Sequence, residues 1–433
     1  MMDTASWPTF LSACVCSEQE AMQHFVRSGI TVASGFGTSE PSPFYRGLWD
    51  FIRQQDITDL QIRQALFMGA YPICVGDRLA SMAGRPREPG RFDKLPGIAG
   101  SVARSATGTS RKLSALKSLV GHYRELLERR VTFNCAFMGP ANNIVIPDNA
   151  LTRALYPDFV GRNASRMGVL NMHSLHFPDG LQGLAYKVDG KPTMETFVAP
   201  MTPPDERGEM SHGAANGANG EIIDTIARQC DVDLLLYLNA SHPFTRGYRE
   251  ARNTLHVSEL EALAKKGRLR VVVDDSPVPA LPPGSFDAPS KAEEAIAQSV
   301  VNHIEMNLGY TEGRALQVGI GTTGVLAIKA LRASKWRGRC YTEMLEPFTL
   351  SMFENGNITG SHFIEADGRR TMLDGKLVCT FSFAEKGSDF YQKLDRNDAI
   401  VIAPAARVVI SEAFYSGMGV NNILGVDFHG NVN

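Results

Sequence analysis

The chain lacks most of the features that narrow a function by composition. No run of about 18 apolar residues occurs in it, so no segment is built to cross a bilayer as a helix. Lysine plus arginine (44) and aspartate plus glutamate (46) nearly cancel, leaving a net charge of −2. That balance offers no electrostatic case for nucleic acid or a membrane surface as partner. Residues 1–20 carry no Lys or Arg ahead of their short apolar patch, so they do not read as a signal peptide. The seven cysteines (Cys14, Cys16, Cys74, Cys135, Cys230, Cys340 and Cys379) are odd in number, scattered and never in C-x-x-C spacing. This argues against a disulfide framework or a zinc site and for buried thiols in a reducing cytoplasm.

What is present is an ordinary globular composition, 43% hydrophobic and 21% charged. At 433 residues the chain exceeds the size at which one hydrophobic core keeps growing, so two domains are expected. Ser17 and Glu20 form a capping box for a helix running to about Ser28, with Gly29 as its stop. Residues 30–33 then read as a strand that breaks into the glycine-rich turn Ser34-Gly35-Phe36-Gly37. The apolar run at 231–238 reads as a strand buried on both faces. Ser258 with Glu261 and Ser290 with Glu293 mark two more capping boxes, and the second opens a helix expected to bury Ile296, Val300, Ile304 and Leu308. Further strands are expected at 269–273, 376–383, 399–403, 408–410 and 423–428. Strands alternating with helices predict an α/β fold with mostly parallel sheets. The proline-rich connector from Ser276 to Pro283 sets the expected boundary, between domains 1–275 and 276–433.

Two local features leave alternatives open. From Arg78 to Arg130 there are 12 Lys and Arg against 4 Asp and Glu, first in an irregular Gly/Pro/Ser-rich segment and then in an amphipathic helix. Such a segment could grip a nucleotide's phosphates or an acidic partner, or be a solvated insertion. His173 and His176 stand three apart, but Pro178 argues for a loop and no third ligand is identifiable, so no metal site is expected.

The most informative stretch runs from Leu316 to Glu343. It reads as a short strand to Val318, a tight turn, a helix from about Val325 to Ala333, and a second strand ending at Glu343. The turn offers backbone N–H groups at a helix N-terminus, where negative charge is best stabilised. On one reading, Gly319-Ile320-Gly321-Thr322-Thr323-Gly324 is a dinucleotide fingerprint and Glu343 holds a ribose hydroxyl. On the other, Glu343 is a nucleophile and the glycine turn cradles a thioester and its oxyanion.

Ordered pieces over about residues 17–433 resemble the acetyl-CoA hydrolase and 4-hydroxybutyrate CoA-transferase family, which are class I CoA-transferases. Thr202-Pro203-Pro204-Asp205-Glu206-Arg207-Gly208 resembles the family's S-P-P-D-x-x-G turn. Asn239 through Gly247 with Leu255-His256-Val257-Ser258 resembles its N-x-x-x-P-x-x-x-G segment and the V-S that follows. Leu316-Gln317-Val318-Gly319-Ile320-Gly321 resembles its L-Q-x-G-I-G loop, and Tyr341-Thr342-Glu343-Met344 its H-T-E-M strand end. Residues 390–397 and 426–433 resemble two later segments. The resemblance implies two similar open α/β domains with the active site between them. It implies that Glu343 forms a glutamyl-CoA thioester, and that Val318, Gly319, Ile320, Gly321 and Thr322 line the CoA thioester, with Gly35 and Gly37 in a first glycine loop. No permanently bound cofactor is implied; acyl-CoA and a carboxylic acid are the substrates. Water in place of the acid would make the same site a hydrolase, and a silent site would leave a CoA- or acyl-binding subunit.

The chain departs from the family in three places. Leu345-Glu346-Pro347-Phe348 replaces a Ser-Asp-Gly-like turn, Ala405-Ala406-Arg407 replaces a segment with an expected Asn, and family members continue well past the point equivalent to Asn433. In the family that further part carries a glycine-rich loop that closes over CoA; a second subunit supplying it is the favoured expectation, beside a chain cut short or a catalytically silent relative.

Overall fold

The computed structural model describes residues 4, 6–83, 114–137, 150–159, 168–172, 184–187, 189–248, 251–281, 290–318, 322–360, 362–366, 369–373, 375–409, 411, 414 and 417–420. The strands of the first part are β1 (Thr31–Ser34), β2 (Gln61–Leu66), β3 (Thr132–Phe137), β4 (Leu170–Met172), β5 (Thr196–Met201), β6 (Glu209–Ser211), β7 (Asp233–Asn239), β8 (Thr254–His256) and β9 (Leu269–Asp274). Seven of them form one parallel sheet in the order β4-β3-β2-β1-β5-β7-β9, while β6 and β8 make a separate antiparallel pair. The expectation of an α/β fold with mostly parallel strands holds. Residues Leu234 to Asn239 of β7 are all buried, which is why that strand reads as an unbroken apolar run.

The strand order decides where a ligand can sit. From β1 the chain builds outward to β4, then returns to place β5 on the other side of β1 and builds the opposite way. The β1–β5 junction is therefore a topological switch point, and the crevice beyond the carboxyl ends of its strands is the usual ligand position in an open α/β sheet. The Gly35 turn leaves β1 at that edge, and the Thr202-Pro203-Pro204 segment leaves β5 there.

The second part contributes β10 (Ala315–Val318), β11 (Arg339–Cys340), β12 (Met344–Leu345), an antiparallel hairpin of β13 (His362–Ala366) and β14 (Arg369–Leu373), then β15 (Leu377–Cys379), β16 (Phe381–Ser382), β17 (Ile400–Ile402) and β18 (Met418–Val420). β10 lies between β11 and β18, while β12 pairs with β16 and β15 with β17, all in parallel. Isolated bridges join the two parts at Ala215–Phe381, Gly217–Pro404, Arg246–Val401 and Leu281–Glu385. Packing follows the same seam. Met344, Phe381 and Phe383 bury with Phe36, Met201 and Ala215, whereas Trp336, Cys340, Leu345, Leu377 and Ile400 form a second core.

Local readings hold where a cap decides the geometry and shift where packing does. The Ser17/Glu20 and Ser290/Glu293 boxes are both formed, although the first helix stops at Phe25. The expected Ser258/Glu261 box is replaced by His256/Glu259, because β8 ends at His256 and Glu259 is also held there by Arg252. In the helix Lys291–Met306 the buried face is Ala297, Val301 and Ile304, with Ile296 51% exposed. The face is set by packing of Ala297 against Leu326 and Ala327 of the helix Thr322–Leu331. Val408 and Val409, expected to begin a strand, instead end the helix Ala405–Val409, which opens directly after Pro404; residue 410 lies outside the described residues. His173, His176, most of the basic segment and the strand expected at 423–428 lie outside the described residues.

Candidate functional site

Glu343 stands in the bend between β11 and β12, just past the strand end rather than within it. Its backbone is fixed from one side. Its carbonyl accepts from the Phe381 N–H at 3.0 Å and the Thr380 N–H at 3.2 Å, and the preceding Thr342 N–H donates to the Val378 carbonyl at 3.0 Å. No described residue hydrogen-bonds the Glu343 carboxyl, and burial pushes its pKa upward with no partner to oppose the shift. A carboxylate held this way has lost part of its water without gaining an internal cation, so its lone pairs remain available for attack on an electrophile.

The turn after Glu343 is stabilised by its own sequence. Glu346 is fully buried and caps the helix Pro347–Glu354: its carboxyl accepts from the backbone N–H of Phe348 and Thr349 and from the Thr349 hydroxyl. Pro347 occupies the first helical position, where its missing N–H costs nothing. The departure from the family pattern at Leu345-Glu346-Pro347 is thus a helix start. Burial raises the Glu346 carboxyl to about 7 against the donors that lower it.

The first glycine loop approaches Glu343 from the β1 edge. The Gly35 N–H donates to Val198, and the Gly35 carbonyl accepts from Gln64 Nε2 and Ser34 Oγ. A Cβ at Gly35 would lie 2.3 Å from the Ser39 carbonyl oxygen and 2.7 Å from Asn219 Nδ2, so only glycine fits there. Gly37 has φ +61° and lies against Phe381 and Phe383. Thr38 Oγ1 donates to the Ser382 carbonyl at 3.0 Å and Ser39 Oγ to the Ala215 carbonyl. These contacts tie the turn to β16, whose Phe381 N–H holds the Glu343 carbonyl. Sequence-distant Gly35, Gly37 and Glu343 thereby converge on one seam.

Behind the turn, Glu40 is buried and accepts from Met68 N–H at 2.9 Å, from Ser42 Oγ at 3.3 Å and from the Tyr71 hydroxyl. Burial outweighs these donors and raises its carboxyl to about 7. Glu40 binds the β1 loop to the β2 loop and keeps the glycine turn in register.

The second glycine loop is only partly placed. β10 pairs with β11 by Ala315–Arg339 and Leu316–Cys340. The pairing ends there, and beyond it Tyr341 bridges to Val378 instead. Thr322 opens the helix Thr322–Leu331; Gly319, Ile320 and Gly321 lie outside the described residues. Among the described residues no group of three or more His, Cys, Asp or Glu is placed to hold a metal, and no helix is long and apolar enough to cross a membrane.

Sequence reading overlooked Asn219, Thr380 and Glu40. Asn219 is 1% exposed, and among the described residues neither atom of its carboxamide has a hydrogen-bond partner; nor does the Thr380 hydroxyl, also buried. An acidic residue inside a glycine-rich turn was the available sign for Glu40. Nothing in the sequence marked the other two.

No protein-family model and no curated protein sequence matches the chain. Solved structures do. RipA from Yersinia pestis superposes with a TM-score of 0.62 at 20% identity over 100% of this chain and 77% of that one. A 4-hydroxybutyrate CoA-transferase from Porphyromonas gingivalis gives 0.52 at 17% identity over 92% and 69%. The alpha subunit of a malonate decarboxylase from Acinetobacter baumannii gives 0.50 at 12% over 97% and 62%. At these identities the likeness is one of architecture, and the chain is built on the CoA-transferase-like α/β fold.

Proposed function

We propose that this chain transfers CoA from an acyl-CoA to a carboxylic acid through Glu343. The observation that carries the reading is the partly buried Glu343 carboxyl, without a hydrogen-bond partner among the described residues, on a backbone held by the N–H of Phe381, whose ring lies against Gly37 of the glycine turn at the β1–β5 switch point. Ionised Glu343 attacks the thioester carbonyl, giving a tetrahedral oxyanion that collapses to an acyl-glutamyl anhydride and CoA thiolate. The thiolate then attacks the glutamyl carbonyl, releasing the acyl group as a carboxylate and leaving a glutamyl-CoA thioester. The acceptor acid repeats the two steps in reverse and departs as the new acyl-CoA, restoring Glu343. No external base is needed, since the carboxylate is already a nucleophile once ionised.

In this reading the backbone from Val318 to Thr322 donates to the oxyanion and contacts the thioester, and Gly35 and Gly37 admit the substrate closely on the opposite side. One lost backbone donor in such a site typically costs about 10²–10³ in rate. The test is an intact-mass spectrum of the chain mixed with a series of acyl-CoAs, followed by peptide mapping. A CoA adduct on Glu343, absent in Glu343→Gln and removed by added carboxylic acid, is the expected result. An adduct that persists in Glu343→Gln, or none with any acyl-CoA, overturns the proposal.

A further inference from the structure

Two buried polar side chains on the seam that carries Glu343 have no hydrogen-bond partner among the described residues. Asn219 begins the helix Asn219–Gln229; its own N–H bonds to the Asn216 carbonyl at 2.8 Å, yet its side-chain nitrogen and oxygen are both unpartnered and buried. The amide lies directly over Gly35, close enough that any side chain there would collide with it. Thr380 is the residue whose N–H holds the Glu343 carbonyl and whose carbonyl accepts from Asn216, and its buried hydroxyl is likewise unpartnered. The Asn216–Thr380 bond and the packing of Gly217 against Phe36 and Phe381 place both groups along the seam that carries Glu343.

Buried polar groups in folded proteins are nearly always hydrogen-bonded, and an orphan destabilises the fold. A leucine at 219 or a valine at 380 would fill similar volume without that cost. Departures from this rule are expected at functional sites. Both are neutral and both can donate, which suits an oxygen-bearing anion: they can bind a carboxylate without trapping it as an ion pair would.

Resting on the Glu343 reading, we infer that Asn219 and Thr380 are specificity-determining residues whose carboxamide and hydroxyl hydrogen-bond the carboxylate of the acceptor acid and the thioester carbonyl it becomes. The amide faces the backbone of Gly35, where no side chain stands.

The experiment compares the full chain with Asn219→Leu, Thr380→Val and Thr380→Ser. Unfolding temperature is measured with and without acetate and butyrate, together with the rate of CoA adduct formation from acetyl-CoA and butyryl-CoA. The expected result for Asn219→Leu and Thr380→Val is an equal or higher unfolding temperature without ligand. The same two variants should lose the thermal shift given by the acids and form the adduct roughly three- to tenfold more slowly, the worth of one neutral hydrogen bond. Thr380→Ser keeps the hydroxyl and should keep both properties. A lower unfolding temperature for Asn219→Leu means that the amide is bonded within the fold and overturns the inference; should that variant fail to fold, Thr380→Val against Thr380→Ser decides it. Adduct formation in the unaltered chain with unchanged rates in the variants sinks the inference and leaves the Glu343 reading standing. No adduct in the unaltered chain sinks that reading; the inference then stands only if the acids still raise the unfolding temperature and Asn219→Leu abolishes the effect.

Discussion

Glu346→Gln provides a direct test of how the turn beside Glu343 is held. Burial carries the Glu346 carboxyl from 4.5 to about 7 in the folded chain. A carboxyl whose folded pKa lies above its unfolded value binds its proton more tightly when folded. The stability it contributes is fully present below pH 4.5 and is lost as pH rises through about 7. At about 1.4 kcal/mol for each pH unit, the loss across that window comes to about 3 kcal/mol. Glutamine cannot titrate, so Glu346→Gln should lack this loss. The stability of the variant relative to the unaltered chain should therefore rise by about 3 kcal/mol between pH 4.5 and 7.5, whatever its offset at low pH. Denaturant unfolding in steps of pH, followed by tryptophan fluorescence, reads this directly because Trp336 packs in the same core as Leu345 and Leu350. Glu346→Ala adds a second reading. It leaves two backbone N–H groups and a hydroxyl without their acceptor, a cost of about 2–4 kcal/mol at low pH that shrinks across the same window because alanine does not titrate either. A Gln-minus-Glu difference that stays flat with pH would refute the reasoning, because it would mean that Glu346 is solvated or paired with a cation in the folded chain.

Further predictions concern the opposite wall and the buried imidazoles. Gly35→Ala should lower the unfolding temperature and suppress CoA adduct formation together, since the new methyl has backbone on one side and Asn219 on the other; unchanged adduct formation would remove Gly35 from the site. Tyr71→Phe takes one donor from Glu40 and should destabilise the chain by about 1–2 kcal/mol while raising the Glu40 carboxyl further, so that the loss of stability with rising pH extends to higher pH. His212 and His242 are buried neutral, with burial lowering their pKa to about 3 and about 4. Their contribution is intact above pH 6.5 and lost as pH falls toward those values, at up to about 1.4 kcal/mol per pH unit for each. His242→Asn should flatten the acid limb of a stability–pH curve; an unaltered limb would show that His242 is not buried neutral.

The alternation of strands and helices, and the burial of β7 on both faces, were legible because hydrophobic period and run length depend on the strand and its sheet alone. Capping boxes at Ser17 and Ser290 were legible for a similar reason, being closed within four residues. Glu343 could be singled out as a lone acid after a glycine turn, with the family resemblance behind it. What no local pattern could supply was its surroundings. That its carbonyl hangs on Thr380 and Phe381, and that the Gly35 turn reaches it through Ser382, depends on pairings between residues tens to hundreds of positions apart. The same holds for the buried face of the helix Lys291–Met306, which turned away from Ile296 because a neighbouring helix chose Ala297. The orphan amide of Asn219 is the extreme case. A hydrogen bond that is missing leaves no mark on the sequence, and only the packing of its neighbours reveals that no described residue meets it.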